Sequence, residues 1–161
     1  EEAALSDSIE LVARADTFWT REGTLEAVSG ILTAHPDVAG FSYEAADSFL
    51  GGIRAYEAAG LPLDIVLTLR TDEVGLFCEW AEIGNPNFRI FYSTGGNYQS
   101  RIALTAAMMQ LNGAELPTEI IIPVEMRQVD ESSCIEGMPP LASVSSLVPL
   151  DIFVQMYPES S

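Results

Sequence analysis

Residues 31–60, ILTAHPDVAGFSYEAADSFLGGIRAYEAAG, carry a helix end, a turn, a short apolar strand, a second helix and a glycine stop. The run at 38–43 follows a His35-Pro36-Asp37 turn and has the length of a buried strand. Over 47–59, Phe49, Leu50, Ile53 and Tyr56 fall on one side at helical spacing. Gly60 stands where a left-handed C-cap belongs, with Pro62 just beyond. A strand feeding directly into a helix is half of a βαβ unit. In such folds ligands gather at the C-terminal ends of the strands. Here that place is Tyr43-Glu44-Ala45-Ala46-Asp47.

Working outward, 9–15 (IELVARA) alternates and reads as a first strand, with a loop at 16–20 and a helix over 21–34. Downstream, 64–69 reads as a third strand, 74–83 as a helix broken by Asn85-Pro86-Asn87, and 88–93 as a fourth strand. A helix over 100–112 closes at Gly113, and 119–127 is a last strand that Pro123 confines to an edge or a crossover. The final 30 or so residues, with Pro139, Pro140, Pro149 and Pro158, read as an extended tail packed on the body. The sum, β-α-β-α-β-α-β-α-β, predicts an α/β fold with a mainly parallel sheet and helices on both faces. It divides as an α/β domain at 1–117 and a crossing strand with a Pro-rich tail at 118–161.

The 161 residues are 48% hydrophobic and 19% charged, enough to bury a core. All seven basic residues are Arg, against 24 acidic ones, a net charge of −17. That charge repels phosphate backbones and anionic lipid, which counts against nucleic-acid and membrane-surface roles. No apolar run approaches the ~18 residues of a membrane span. The opening Glu1-Glu2-Ala3-Ala4-Leu5 reads as the tail of a helix already under way, hence as a processed or truncated piece. Cys78 and Cys134 do not have zinc or thioredoxin spacing; they form either one disulfide or two buried thiols.

The predicted strand tips gather Phe18, Trp19, Glu44, Asp47, Arg70, Asp72, Ser93, Thr94 and Tyr98. Aromatic faces stack on the C–H side of a sugar ring while carboxylates and Arg bond its hydroxyls, so the set suits a small polar solute. Each has a plainer reading. Trp19 is a stacking platform or a loop aromatic, Asp47 is more readily a helix N-cap, and Arg70 with Asp72 is a ligand clamp or a surface ion pair. The sole histidine, His35, is turn punctuation, and Met108-Met109 is core filling. One His, two scattered Cys and no HExxH or GxSxG leave only paired carboxylates, which so acidic a chain produces by chance, so neither catalysis nor a cofactor is expected.

With these residues in view, 35–60 resembles the HPD…A…ND…ALGAIRALEAAG stretch of type I periplasmic substrate-binding proteins, particularly the sugar-binding group. Residues 104–130, LTAAMMQLNGAELPTEIIIPVEMRQVD, resemble that family's later lobe helix and hinge-crossing strand, and 134–140 resembles the tails of some members. The likeness runs from about residue 9 to residue 130, and LacI-type effector domains share the fold. It implies a Rossmann-like lobe, incomplete here, with the 100–113 helix belonging to the partner lobe. It implies a non-catalytic, periplasmic protein that clamps a carbohydrate between two lobes and delivers it to ABC transporter membrane subunits. This chain is too short for two lobes. It matches a C-terminal lobe without its first strand and helix, to be completed by an N-terminal lobe or a partner chain. The alternatives are a half-lobe interaction module and a LacI-type effector domain. The family's Asn-Asp pair falls on Ala45 and Ala46, its acidic residue after the third strand near Arg70, and its Gln or Asn after the fourth near Ser93 or Thr94.

Overall fold

The computed structural model describes residues 9–93, 96–116, 118–119 and 125–145, without the side chains at 96–99 and 101. Within them, helix α1 spans Arg21–Ala34, strand β1 Gly40–Tyr43, a 3₁₀ turn Asp47–Phe49 and helix α2 Leu50–Ala59. Strand β2 (Val66–Leu69), helix α3 (Val74–Ile83), strand β3 (Arg89–Ser93), helix α4 (Gly96–Leu111), strand β4 (Met126–Gln128) and a second 3₁₀ turn (Glu131–Ser133) follow. The sheet order is β1-β2-β3-β4, with β1, β2 and β3 parallel and β4 antiparallel to β3. This is the mainly parallel α/β sheet that the alternation predicts.

The elements start and stop for local reasons. Thr20 caps α1 by accepting from the Gly23 N–H. His35 closes that helix with its own N–H on Ile31, the punctuating role expected of it. Gly60 ends α2 at φ +63°, in the left-handed region that glycine enters without a Cβ clash.

Parallel neighbours in sequence order, joined by right-handed crossovers, put successive helices on one side of the sheet. Ring contacts mark that side. Phe41 and Tyr43 of β1 meet Phe49 at 5.6 and 5.9 Å, and Tyr92 of β3 meets Phe77 of α3 at 4.8 Å. Leu67, Leu69 and Ile90 lie on the same face and are fully buried, so the core sits between sheet and helices. Tyr56 reaches into this core with a buried hydroxyl that has no partner among the described residues, and burial pushes its pKa up to about 12.

Three expectations change. Residues 9–17 form no strand. A ladder needs a neighbour, and among the described residues the outer edge of β1 pairs with nothing. Residues 14–17 and 42–44 line a shared cleft in place of a ladder, and Ile9, Leu11 and Val12 stay exposed. Of the last strand predicted over 119–127, the described residues pair only from Met126 to Gln128, at the edge of the described sheet, with Glu119 and Glu125 outside the ladder; 120–124, Pro123 among them, fall outside the described residues. Met108 and Met109 are not core filling: they are 57% and 47% exposed, on α4, a helix whose described side chains are all exposed except the half-buried Ile102 and Ala106. Its described residues Leu104, Met108 and Leu111, spaced as one stripe, are all exposed.

The two cysteines form a disulfide, Cys78–Cys134, which fastens the tail to α3. The tail also caps that helix. The Val74 and Gly75 N–H groups, left without intrahelical partners at the start of α3, donate to the Ala142 and Pro140 carbonyls, each at 2.9 Å.

Candidate solute-binding face

Because β1, β2 and β3 are parallel, Tyr43, Leu69 and Ser93 end on one edge of the sheet. The loop at 16–20 lies beside this edge. There Phe18 and Trp19 take φ +53° and +54°, the left-handed region that L side chains seldom adopt. Both project into solvent, 77% and 68% exposed. Strained backbone carrying exposed aromatics, at the edge where βα folds collect ligands, makes this the candidate site.

The polar neighbours are placed by direct bonds. The Trp19 indole N–H donates to Glu44 Oε2 at 2.9 Å, and Arg70 approaches Glu44 Oε1 at 3.5 Å. Ser93 donates to the Arg70 carbonyl at 3.1 Å, tying the ends of β2 and β3. A cleft of about 490 Å³ is lined by residues 14–17 and 42–44 together with Trp19. That volume suits a small polar molecule. The arrangement offers a stacking ring, carboxylate acceptors and an exposed guanidinium donor. Among the described residues no group of three or more His, Cys, Asp or Glu is placed to hold a metal ion.

Of the residues singled out from sequence, the structure brings together Phe18, Trp19, Glu44, Arg70 and Ser93. Thr94 and the Tyr98 side chain lie outside the described residues. The other two acids are engaged elsewhere. Asp47 is not the N-cap. It holds Arg21 through two bonds of 3.0 and 2.5 Å, which raise the guanidinium's pKa against the opposing effect of burial. Asp72 does not pair with Arg70. It is 6% exposed and receives Ser143 Oγ at 2.6 Å, the Ser145 N–H at 3.0 Å and the Ser145 hydroxyl. The tail runs alongside this loop, with a bridge between Glu73 and Ser143 and the Val144 N–H on the Asp72 carbonyl at 3.0 Å, so both carboxylate oxygens are consumed there.

Glu73 was not visible as a functional residue. Its carboxylate accepts from Thr71 Oγ1 at 2.5 Å, the Ala46 N–H at 2.9 Å and the Asp47 N–H at 3.3 Å. Thr71 Oγ1 also receives the Ala46 N–H. The helix start that two alanines leave uncapped is thus capped from the next loop. Only the spacing of Thr71 and Glu73 after a strand hinted at it.

No protein-family model and no curated protein sequence matches the chain. Solved structures do. An ABC transporter periplasmic solute-binding protein from Actinobacillus succinogenes 130z, solved with bound D-allose, superposes with a TM-score of 0.57 at 26% identity over 80% of this chain. The chain has the lobe fold of the periplasmic solute-binding proteins. A chain from Mycobacterium smegmatis shares the fold at a TM-score of 0.55 and 21% identity over 78% of this one. The chain spans 44% and 41% of the lengths of these two proteins, less than half of either. No described helix of the lobe is long and apolar enough to cross a membrane.

Proposed function

We propose that this lobe belongs to a non-catalytic solute-binding protein of an ABC importer, working outside the cytoplasm, and that it receives a small polyhydroxylated solute, a carbohydrate or its like, on the strand-tip face. The exposed Phe18-Trp19 pair beside Glu44 and Arg70 carries the reading. An indole face covers the C–H side of a sugar ring, and the neighbouring carboxylate and guanidinium bond its hydroxyls. The neighbour that holds D-allose supports the ligand class, and the Cys78–Cys134 disulfide supports an oxidising compartment. Capture would proceed by hinge closure against a second lobe, which shifts the open–closed equilibrium by the solute's preference for the closed form.

A second reading has its own observation. The exposed Leu104, Met108 and Leu111 stripe of α4 fits a lobe that works by associating with a partner chain. The two readings meet if the partner is the second lobe.

Calorimetry against a panel of neutral sugars, polyols, amino acids and anions tests the proposal. Binding of a sugar or polyol is expected, with Trp19→Ala weakening it at least tenfold, about 1.4 kcal/mol or more. Heat from amino acids or anions alone, or binding indifferent to Trp19, would sink it.

A further inference from the structure

Two consecutive non-glycine residues in the left-handed region are strained by their Cβ atoms, so something must hold them there. Local bonds are present: Phe18 N–H donates to Asp16 Oδ1 at 2.9 Å, and the Thr20 N–H to the Thr17 carbonyl at 3.1 Å. These tie the loop to itself and not to the sheet. A relay of hydroxyl groups makes the tie to the sheet.

Thr24, 1% exposed in α1, gives its only hydroxyl proton to the Thr20 carbonyl at 2.7 Å. Its 2.8 Å contact with the Tyr43 hydroxyl must therefore be donated by Tyr43. Tyr43 has then spent its proton, so its 2.6 Å contact with Thr17 is donated by Thr17. The result is one directed chain, from Thr17 to Tyr43 to Thr24 to the carbonyl of Thr20. Its two ends bracket Phe18 and Trp19. Its middle member is fixed by the fold, since the Tyr43 ring packs at 5.9 Å on the fully buried Phe49. Ser48 adds a second anchor, donating to the Trp19 carbonyl at 2.6 Å.

We propose that Tyr43 is a positioning residue for the solute face: its hydroxyl, as the centre of this chain, holds Phe18 and Trp19 in their left-handed, solvent-facing arrangement before any solute arrives. The assignment to a solute face rests on the function proposed above; the hydroxyl chain stands on its own distances. A platform formed in advance does not have to be ordered when the solute binds, so it raises affinity without adding a contact.

The test labels both tryptophans with 5-fluorotryptophan and follows their two fluorine resonances in the unsubstituted protein, Tyr43→Phe and Thr24→Val. Either change breaks the chain while keeping the side chain's bulk. The Trp19 line should move toward that of the free amino acid in both variants, while the line of Trp80, which donates to the Phe88 carbonyl at 2.6 Å, stays in place. For a sugar that binds, Tyr43→Phe should weaken affinity about tenfold, the equivalent of about 1.4 kcal/mol. A Trp19 line unmoved in the folded variants would overturn the proposal, as would equal movement of both lines, which reports general loosening. A shifted Trp19 line in a protein that binds no sugar would support the positioning role and sink the solute reading.

Discussion

Replacing Cys78 and Cys134 with serine is expected to cost about 4 kcal/mol of stability, read by urea unfolding. The bridge closes a loop with a sequence separation of 56, and chain entropy assigns about this much to a loop of that size. The loss should not be confined to the tail. The Ala142 and Pro140 carbonyls serve the first N–H groups of α3, and Ser143 and Ser145 serve the buried Asp72 carboxylate. With the tether gone, those groups open to water together, and limited proteolysis should cut near residues 134–145 before the body. Reductant alone should reproduce the effect on the unsubstituted protein. A cost below about 1 kcal/mol would mean that the hydrogen bonds hold the tail unaided, since loops of this size normally contribute more.

Gly51→Ala should be nearly as damaging, at about 3 kcal/mol. A Cβ at this position would stand 1.9 Å from the Arg21 carbonyl oxygen and 2.9 Å from the Leu25 nitrogen. Both are backbone atoms of α1, which cannot swing aside as a side chain does. The two helices would have to separate and give up close packing, at the upper end of what overpacking costs. Gly30 supplies the contrast. It is exposed inside α1, and an added Cβ meets nothing within 4 Å, so Gly30→Ala should gain about 0.5–1 kcal/mol from helix propensity. Thermal or urea unfolding of the pair decides it. Equal effects at the two sites would contradict the close contact between α1 and α2.

These positions show what a linear reading reaches. The bounds of α1 and α3 follow from apolar periodicity and their stops, and Gly60 from its place after a periodic run, because those signals lie within a few residues. The mainly parallel sheet follows from alternation. The strand at 9–15 misled because its pattern is that of a strand, whereas a strand exists only through a neighbour that pattern cannot supply. Met108 and Met109 misled in the same way, since apolar residues on a helix do not say whether anything covers them.

The candidate face was legible as a location. Chain direction places residues 18–19, 44, 70 and 93 on one edge, and the side chains there meet as Trp19, Glu44 and Arg70. The pairings of the acids were not legible. Whether Asp47 caps a helix or binds Arg21 depends on a partner 26 positions away, and Asp72 on serines 71 and 73 positions away. The hydroxyl chain through Tyr43 was hidden for the same reason, and it explains how an exposed Trp19 keeps a costly conformation.

The most direct test of the account is a nitrogen-15 correlation spectrum of the chain titrated with D-allose and other neutral sugars to tens of millimolar, a range that detects the weak binding expected of one lobe. Shift changes confined to residues 16–20, 43–44 and 70 are the predicted result. Changes centred on the α4 stripe, or none anywhere with any sugar, would contradict it.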